Sequence, residues 1–240
     1  MQWLDVAGAP GVGKSTICDP LFGPHDIAPI DIHTPVEWHD FNNEVTRLLG
    51  LVRDHPSFVA AVRMNRRSMR KMAAVASMEG TRPYIQTGFV QRGLGFGWRL
   101  VDMGKPVEEL WHFFRLMPAS LGVVFLEADE NTLTERNKAR ETVKETAHEN
   151  RAFMAPLMQP AIEFAKEVLH DRRVPVWRIE TTGDIDKARK ELVRFADQRV
   201  EALRHSHIPA CRPPYLDTRN PSAPGYRGKA PALSSPPVWW

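Results

Sequence analysis

The chemistry that is easiest to read lies near the start of the chain, in Gly8-Ala9-Pro10-Gly11-Val12-Gly13-Lys14-Ser15-Thr16. This stretch fills every fixed position of the pattern G-x-x-x-x-G-K-[ST], with an apolar run, Trp3 to Ala7, before it and a helical run after it. Glycine at 8, 11 and 13 opens backbone conformations closed to other residues and removes side chains from the turn. Successive N–H groups, including that of Val12, then converge on one anion. A helix starting over Lys14 to Thr16 adds its unpaired N–H groups and the positive end of its dipole, worth ~0.3–2 kcal/mol per well-placed charge. On this reading the Lys14 ammonium reaches the β- and γ-phosphates of a nucleotide and the Ser15 hydroxyl ligates Mg²⁺.

A phosphate loop of this kind needs a strand to hold it and a sheet to hold the strand. Five strands are expected: Trp3 to Ala7, Ile27 to Ile32 with Asp31 near its end, Pro83 to Gly88 with Gln86, Leu121 to Leu126, and Val174 to Ile179. Helical patterns alternate with them, which means an α/β fold of three layers: a central, mostly parallel five-stranded sheet flanked by helices. Glu37 to Leu51 is one such helix. The next opens at Asp54-His55-Pro56, with Phe58, Val62, Met69, Met72 and Ala76 as its core stripe and Arg63, Arg66, Arg67, Arg70 and Lys71 opposite. Val107 to Met117, Asn131 to about Glu145, Pro160 to Leu169 and a segment after Thr181-Thr182-Gly183-Asp184 complete the set. Between Gly88 and Gly97 four glycines imply a close-packed or mobile loop, and the polar stretch Glu141 to Arg151 suits a lid over phosphates.

The bulk numbers bound the function. A 42% hydrophobic fraction over 240 residues fills a core. The formal charge of +3 is matched by Arg212, Arg219, Arg227 and Lys229 against Asp217 beyond residue 205, so the body is near neutral and no nucleic-acid surface is expected. Two cysteines, Cys18 and Cys211, make neither a disulfide framework nor a metal cluster. No apolar run reaches the ~18 residues of a membrane span, and the first strand begins too early for a cleavable signal, so a soluble cytoplasmic protein is expected. One domain is expected over 1–205. The segment 206–240 holds 8 of the 20 prolines and reads as a disordered or loosely docked tail.

With the loop at its start, five strands and an arginine-bearing helix after the fourth, the sequence resembles the small-molecule P-loop kinases. Among these it is most similar to the nucleoside and nucleoside-monophosphate kinases, over about residues 1 to 203. The resemblance implies ATP and Mg²⁺ and a small acceptor. Phe125-Leu126-Glu127-Ala128 and the helix holding Arg136 and Arg140 look like the strand and lid helix whose arginines contact the transferring phosphoryl group. Glu180-Thr181-Thr182-Gly183 is similar to the turn bordering adenine, which places Thr182 at the nucleotide. Thr34-Pro35-Val36-Glu37-Trp38 and Gln91-Arg92 resemble acceptor-side segments, so Glu37, Gln86, Arg63, Arg67 and Arg92 are candidate acceptor contacts. Kinases of this type are often homodimers.

Two departures bear on the chemistry. Thr34 stands where deoxynucleoside kinases carry a glutamate, and Gln86-Thr87 stands where the third strand usually ends in an acid. A neutral amide cannot accept a proton as a carboxylate does. Asp31, at the carboxyl end of the second strand, is the first substitute and Glu37 the second; Asp31 as a plain turn or helix cap is the competing reading. The acceptor stays open between a monophosphate, which Arg63, Arg67, Arg70 and Arg92 would hold, and a nucleoside, read by Gln86 and stacked on Trp38, Phe41 or Phe89. A nucleotide-binding switch or scaffold without transfer is the alternative function.

Overall fold

The structure, a computed structural model, describes residues 4–22, 38–77, 84–85, 88–118, 120, 122–141 and 151–205. By its internal contacts the chain divides into Met1–Ile208, which holds every element below, and Pro209–Trp240, which lies outside the described residues.

Four parallel strands form the sheet among the described residues: β1 (Leu4–Ala7), β2 (Tyr84–Ile85), β3 (Gly122–Glu127) and β4 (Val176–Glu180), in the order β2-β1-β3-β4. Asp5 lies opposite Ile85 on one side and Val123 on the other, and Glu127 lies opposite Glu180. All carboxyl ends therefore share one edge, where ligands collect in open α/β sheets. β1 is buried throughout, Asp5 included, and β3 is nearly so, as an apolar run covered on both faces should be.

Side chains alternate across the sheet and build two cores. Ala7, Val123 and Phe125 face a larger core with α2 (His39–Leu51), α4 (Phe89–Asp102), α5 (Trp111–Leu116) and α7 (Arg151–Asp171). Leu4, Val6, Val124, Leu126 and Ile179 face a smaller one with Ile17 of α1 (Lys14–Phe22) and Leu192 and Phe195 of α8 (Ile185–His205). α3 (Phe58–Ser77) and α6 (Glu130–Glu141) complete the helices, and a 3₁₀ turn, Val107–Leu110, leads into α5. Among the described residues no helix is long and apolar enough to cross a membrane.

Several expectations are corrected. The expected strand at 27–32 lies outside the described residues, so the sheet seen here has four strands where five were expected. The glycine-rich stretch after Gly88 is not a loop but α4, a helix of the larger core. Its glycines serve close approach: a Cβ on Gly97 would lie 2.2 Å from the Cβ of Ala161, and one on Gly93 would lie 2.5 Å from the Phe114 ring. α7 starts at Arg151, well before Pro160, and runs through both Pro156 and Pro160. Its buried stripe of Met154, Ala155, Met158, Ala161, Ile162 and Ala165 outweighs the two missing amide donors. On α3, Val62 is exposed, and Ala61, Asn65 and Ser68 take the inward positions.

Candidate active site

The loop from Gly8 to Gly13 leaves the carboxyl end of β1 and is tied down by three elements that the motif itself does not include. From α4, the Gln91 Oε1 accepts the Gly8 N–H at 3.1 Å. From α6, Asn137 is fully buried and donates its Nδ2 to the Pro10 carbonyl at 3.1 Å. Gly11 has φ +86°, and a Cβ there would sit 2.8 Å from that same amide, so side-chain bulk and backbone conformation both demand glycine. From the turn after β4, the Thr181 hydroxyl lies 2.8 Å from the Val12 carbonyl and 2.9 Å from that of Glu127. Lys14 folds back on the loop, its Nζ donating to the carbonyls of Gly8 at 2.7 Å and Ala9 at 3.1 Å.

Arg136 reaches this underpinning from α6. Its Nη2 donates to the Thr181 carbonyl at 2.7 Å, and its Nη1 would lie 3.7 Å from a Cβ on Gly13. Asp129 caps α6 by accepting the Thr132 N–H and hydroxyl, each at 2.8 Å, and these bonds hold its carboxyl below the usual range. Thr182 belongs to a closed turn: its hydroxyl donates to the Glu180 carboxylate and accepts the Asp129 N–H at 3.1 Å.

Beside the loop opens a cavity of about 340 Å³. Pro10 to Ser15 form one wall. α4 contributes Gln91, Arg92, Gly95, Phe96, Trp98 and Arg99; α3 contributes Ala61, Met64 and Asn65; α7 contributes Met154 and Met158. No aspartate or glutamate lines it among the described residues. Burial, followed by the like charge of Arg99, pulls the Arg92 guanidinium down to about 9. No carboxylate among the described residues pairs with it. Asn65 is buried, and its Oδ1 has no hydrogen-bond partner.

The expected site residues divide as follows. Gly11, Val12, Gly13, Lys14, Ser15 and Arg92 all line the cavity, the Val12 side chain being buried in the smaller core. Thr16 is exposed outside it, with its carbonyl accepting Arg189 Nη2 at 2.8 Å. Arg63 is exposed on α3 and does not line the cavity. Asp31, Glu37 and Gln86, with the side chains of Arg67 and Arg140, lie outside the described residues. Gln91 entered the sequence reading only as a neighbour of Arg92. Asn137 and Thr181 likewise entered only as neighbours of Arg136 and Thr182, and Asn65 and Arg99 were missed, because a single buried polar residue on an ordinary helix or turn has no spacing signature. Asp5 was missed for the opposite reason, being one charged letter inside an apolar strand. The groups that fit Mg²⁺ here are narrow: the described residues hold no cluster of three acidic, histidine or cysteine ligands, and Ser15 stands at the exposed start of α1 beside Lys14.

No family model matches the chain, and no curated protein matches it. Solved structures do. The deoxyadenosine kinase from M. mycoides with bound dATP superposes with a TM-score of 0.50 at 14% identity, covering 82% of this chain and 100% of that one. The same kinase with the products dCMP and a flexible dCDP superposes with a TM-score of 0.52 at 15% identity, over the same shares of 82% and 100%. At such identity the likeness is one of architecture, and what it establishes is that this chain has the fold of the P-loop nucleoside kinases.

Proposed function

We propose that this chain transfers the γ-phosphoryl group of ATP to a small acceptor, a nucleoside or nucleoside monophosphate, held in the cavity beside the Gly8 to Thr16 loop. The observation that carries the reading is the direct opening of a complete phosphate-loop motif onto that cavity. The nucleoside-kinase fold supports it.

The N–H groups of Gly11 to Ser15 would hold the donor's phosphates at the start of α1, and Lys14 would exchange its two loop carbonyls for phosphate oxygens. Mg²⁺, when bound to Ser15 and the nucleotide, supplies neutralisation of the charge between the β- and γ-phosphates. Arg136 and Arg140 would serve the nucleotide from α6, with Thr182 at the turn beside it, and Arg92 would serve the acceptor. Asp31 or Glu37 remains the candidate to orient an acceptor hydroxyl, while Gln86, Arg63 and Arg67 are the further candidates for acceptor contact. Phosphoryl transfer asks the protein mainly for positioning and charge, and these residues supply both.

A second reading has one observation in its favour. The absence of a carboxylate from the described cavity wall is what a nucleotide-binding protein without transfer to a hydroxyl would present. Incubation with Mg²⁺ and γ-labelled ATP against a panel of nucleosides, monophosphates and hydroxylated metabolites separates the two. Label on an acceptor, lost in Lys14→Ala, is the expected outcome; ATP binding with every acceptor unlabelled would leave the second reading standing.

A further inference from the structure

α4 turns one face to the cavity, with Arg92, Gly95, Phe96 and Arg99 at i, i+3, i+4 and i+7. The two arginines start about 10 Å apart along the helix axis. Arg99 folds back toward Arg92: its Nη1 donates to the Gly95 carbonyl, one turn earlier, at 2.6 Å. Gly95 adds no side chain between them, and even a Cβ there would leave Arg99 Nη1 at 3.9 Å.

Arg99 is itself held from behind. Its Nε donates to Ser57 Oγ at 2.8 Å, Ser57 Oγ lies 2.9 Å from His55 Nδ1, and His55 Nε2 lies 3.0 Å from Asp102 Oδ2. The Ser57 N–H also points at Nδ1, at 3.0 Å, which makes that nitrogen the acceptor and leaves the ring proton on Nε2, facing Asp102. Every bond in the chain therefore runs one way, from guanidinium to hydroxyl to imidazole to carboxylate, and such chains reinforce each other. Asp102 sits outside the cavity, so its charge anchors Arg99 without cancelling the positive wall at the ligand.

Two guanidinium groups, the unpartnered Asn65 Oδ1 and an apolar wall of Phe96, Trp98, Met154 and Met158 thus meet in one cavity with no acidic residue among its described lining. We infer that Arg92 and Arg99 bind one dianionic phosphate of the acceptor, with Asn65 meeting a hydroxyl next to it, so that the acceptor is a phosphomonoester whose organic part lies on the apolar wall. His55, Ser57 and Asp102 are positioning residues for Arg99. This inference rests on the phosphotransfer reading and narrows it.

Charge and chemistry agree with the choice. A phosphomonoester carries about −1.5 to −2 at neutral pH, which matches two guanidinium groups where a neutral nucleoside matches none. In the transfer an acceptor phosphate oxygen forms a bond to the γ-phosphorus, the bond from that phosphorus to the β–γ bridging oxygen breaks, and the electron pair leaves with ADP. The product is a phosphoanhydride. The attacking oxygen is already deprotonated, so no proton is removed and no general base is required. The missing carboxylates then cease to be a deficiency.

The test uses the full chain with Mg²⁺ and γ-labelled ATP, offering a nucleoside, its 5′-monophosphate and a sugar phosphate in parallel. One of the phosphate esters is expected to take the label with kcat/KM at least ~100-fold above the nucleoside, and the ring it carries identifies which phosphate source fits. Arg92→Gln and Arg99→Lys should raise the acceptor KM by ~30-fold or more while ATP binding, measured without acceptor, stays within about twofold. Asp102→Asn and Ser57→Ala should raise the acceptor KM by ~5-fold with kcat nearly unchanged; a merely structural role would instead lower Tm and move both substrates together. Equal labelling of nucleoside and monophosphate overturns the inference and leaves phosphotransfer intact, as does weakened ATP binding in Arg92→Gln. If nothing is labelled, phosphotransfer falls, and calorimetry with the monophosphate decides the site: binding lost in Arg92→Gln sustains it, and no binding to the parent overturns it.

Discussion

The carboxylate of Asp5 lies under the first turn of α4, where its Oδ2 accepts the Val90 N–H at 2.8 Å and where a Cβ on Gly88 would meet that same oxygen at 2.5 Å. One strand residue thereby sets the position of the helix that carries Gln91 to the phosphate loop and Arg92 to the cavity. The arrangement is costly. Burial pushes the Asp5 carboxyl up from 3.8 to about 7, because desolvation outweighs the amides of Val90 and Phe89 that favour the anion.

A folded-state value above the unfolded one means that the folded protein holds this proton more tightly. The associated stability is present in full below about pH 4 and is lost as pH rises toward 7, by at most on the order of 4 kcal/mol. Asp5→Asn keeps an oxygen for Val90 and has no proton to lose. Urea unfolding should find the variant within ~1 kcal/mol of the parent at pH 4 and more stable by a few kcal/mol at pH 8. Parallel stability curves for the two proteins across that range would refute the assignment.

The Gly97 position offers a packing test. Its helix approaches α7 so closely that a Cβ would sit 2.2 Å from that of Ala161. Gly97→Ala should cost ~1–3 kcal/mol despite alanine's better helix propensity. Adding Ala161→Gly restores the space, and thermal melts of both single variants and the double variant should show recovery of most of the loss. No recovery would mean that the helices contact elsewhere.

These glycines also explain where the sequence could and could not be read. The Gly8 to Thr16 loop was legible because a phosphate-binding motif has fixed residue types at fixed spacing, and β3 was legible because double burial leaves an apolar run. α4 was not, since Gly93, Gly95 and Gly97 argue against helix by local propensity, while the value of Gly93 and Gly97 lies in what packs on them. Gly93 and Gly97, four apart and flanked by Leu94, Phe96 and Trp98, were the available signal of a tightly packed helix. Arg92 was found through its resemblance. Arg99 was not, because the residues that hold it, Ser57 and His55, are distant in sequence and meet it only after folding.

Thr181 links the phosphate loop to β3 and to α6, and its role can be separated from its size. Thr181→Val keeps the shape but leaves the Val12 and Glu127 carbonyls and Arg136 Nη1 without the hydroxyl. A loss of ~1–3 kcal/mol in stability is expected, with ATP affinity falling by several-fold and acceptor KM steady. Fluorescence titration with an ATP analogue reads the first effect directly. Unchanged affinity would show that the loop holds its shape without this residue.

Arg136 decides between two uses of α6. Its guanidinium is engaged with Thr181, at 2.7 Å from the carbonyl, on the Gly13 side of the loop, and it is absent from the cavity lining. From that station it would serve the nucleotide through the loop, so Arg136→Ala should raise the KM for ATP by roughly tenfold and lower kcat by less. An arginine that instead swings over the transferring phosphoryl group is worth ~10³–10⁵ in kcat in comparable systems, with little change in KM. Steady-state kinetics with both substrates varied distinguishes the two. A loss confined to kcat would mean that the Thr181 contact is a resting position, released when the nucleotide binds.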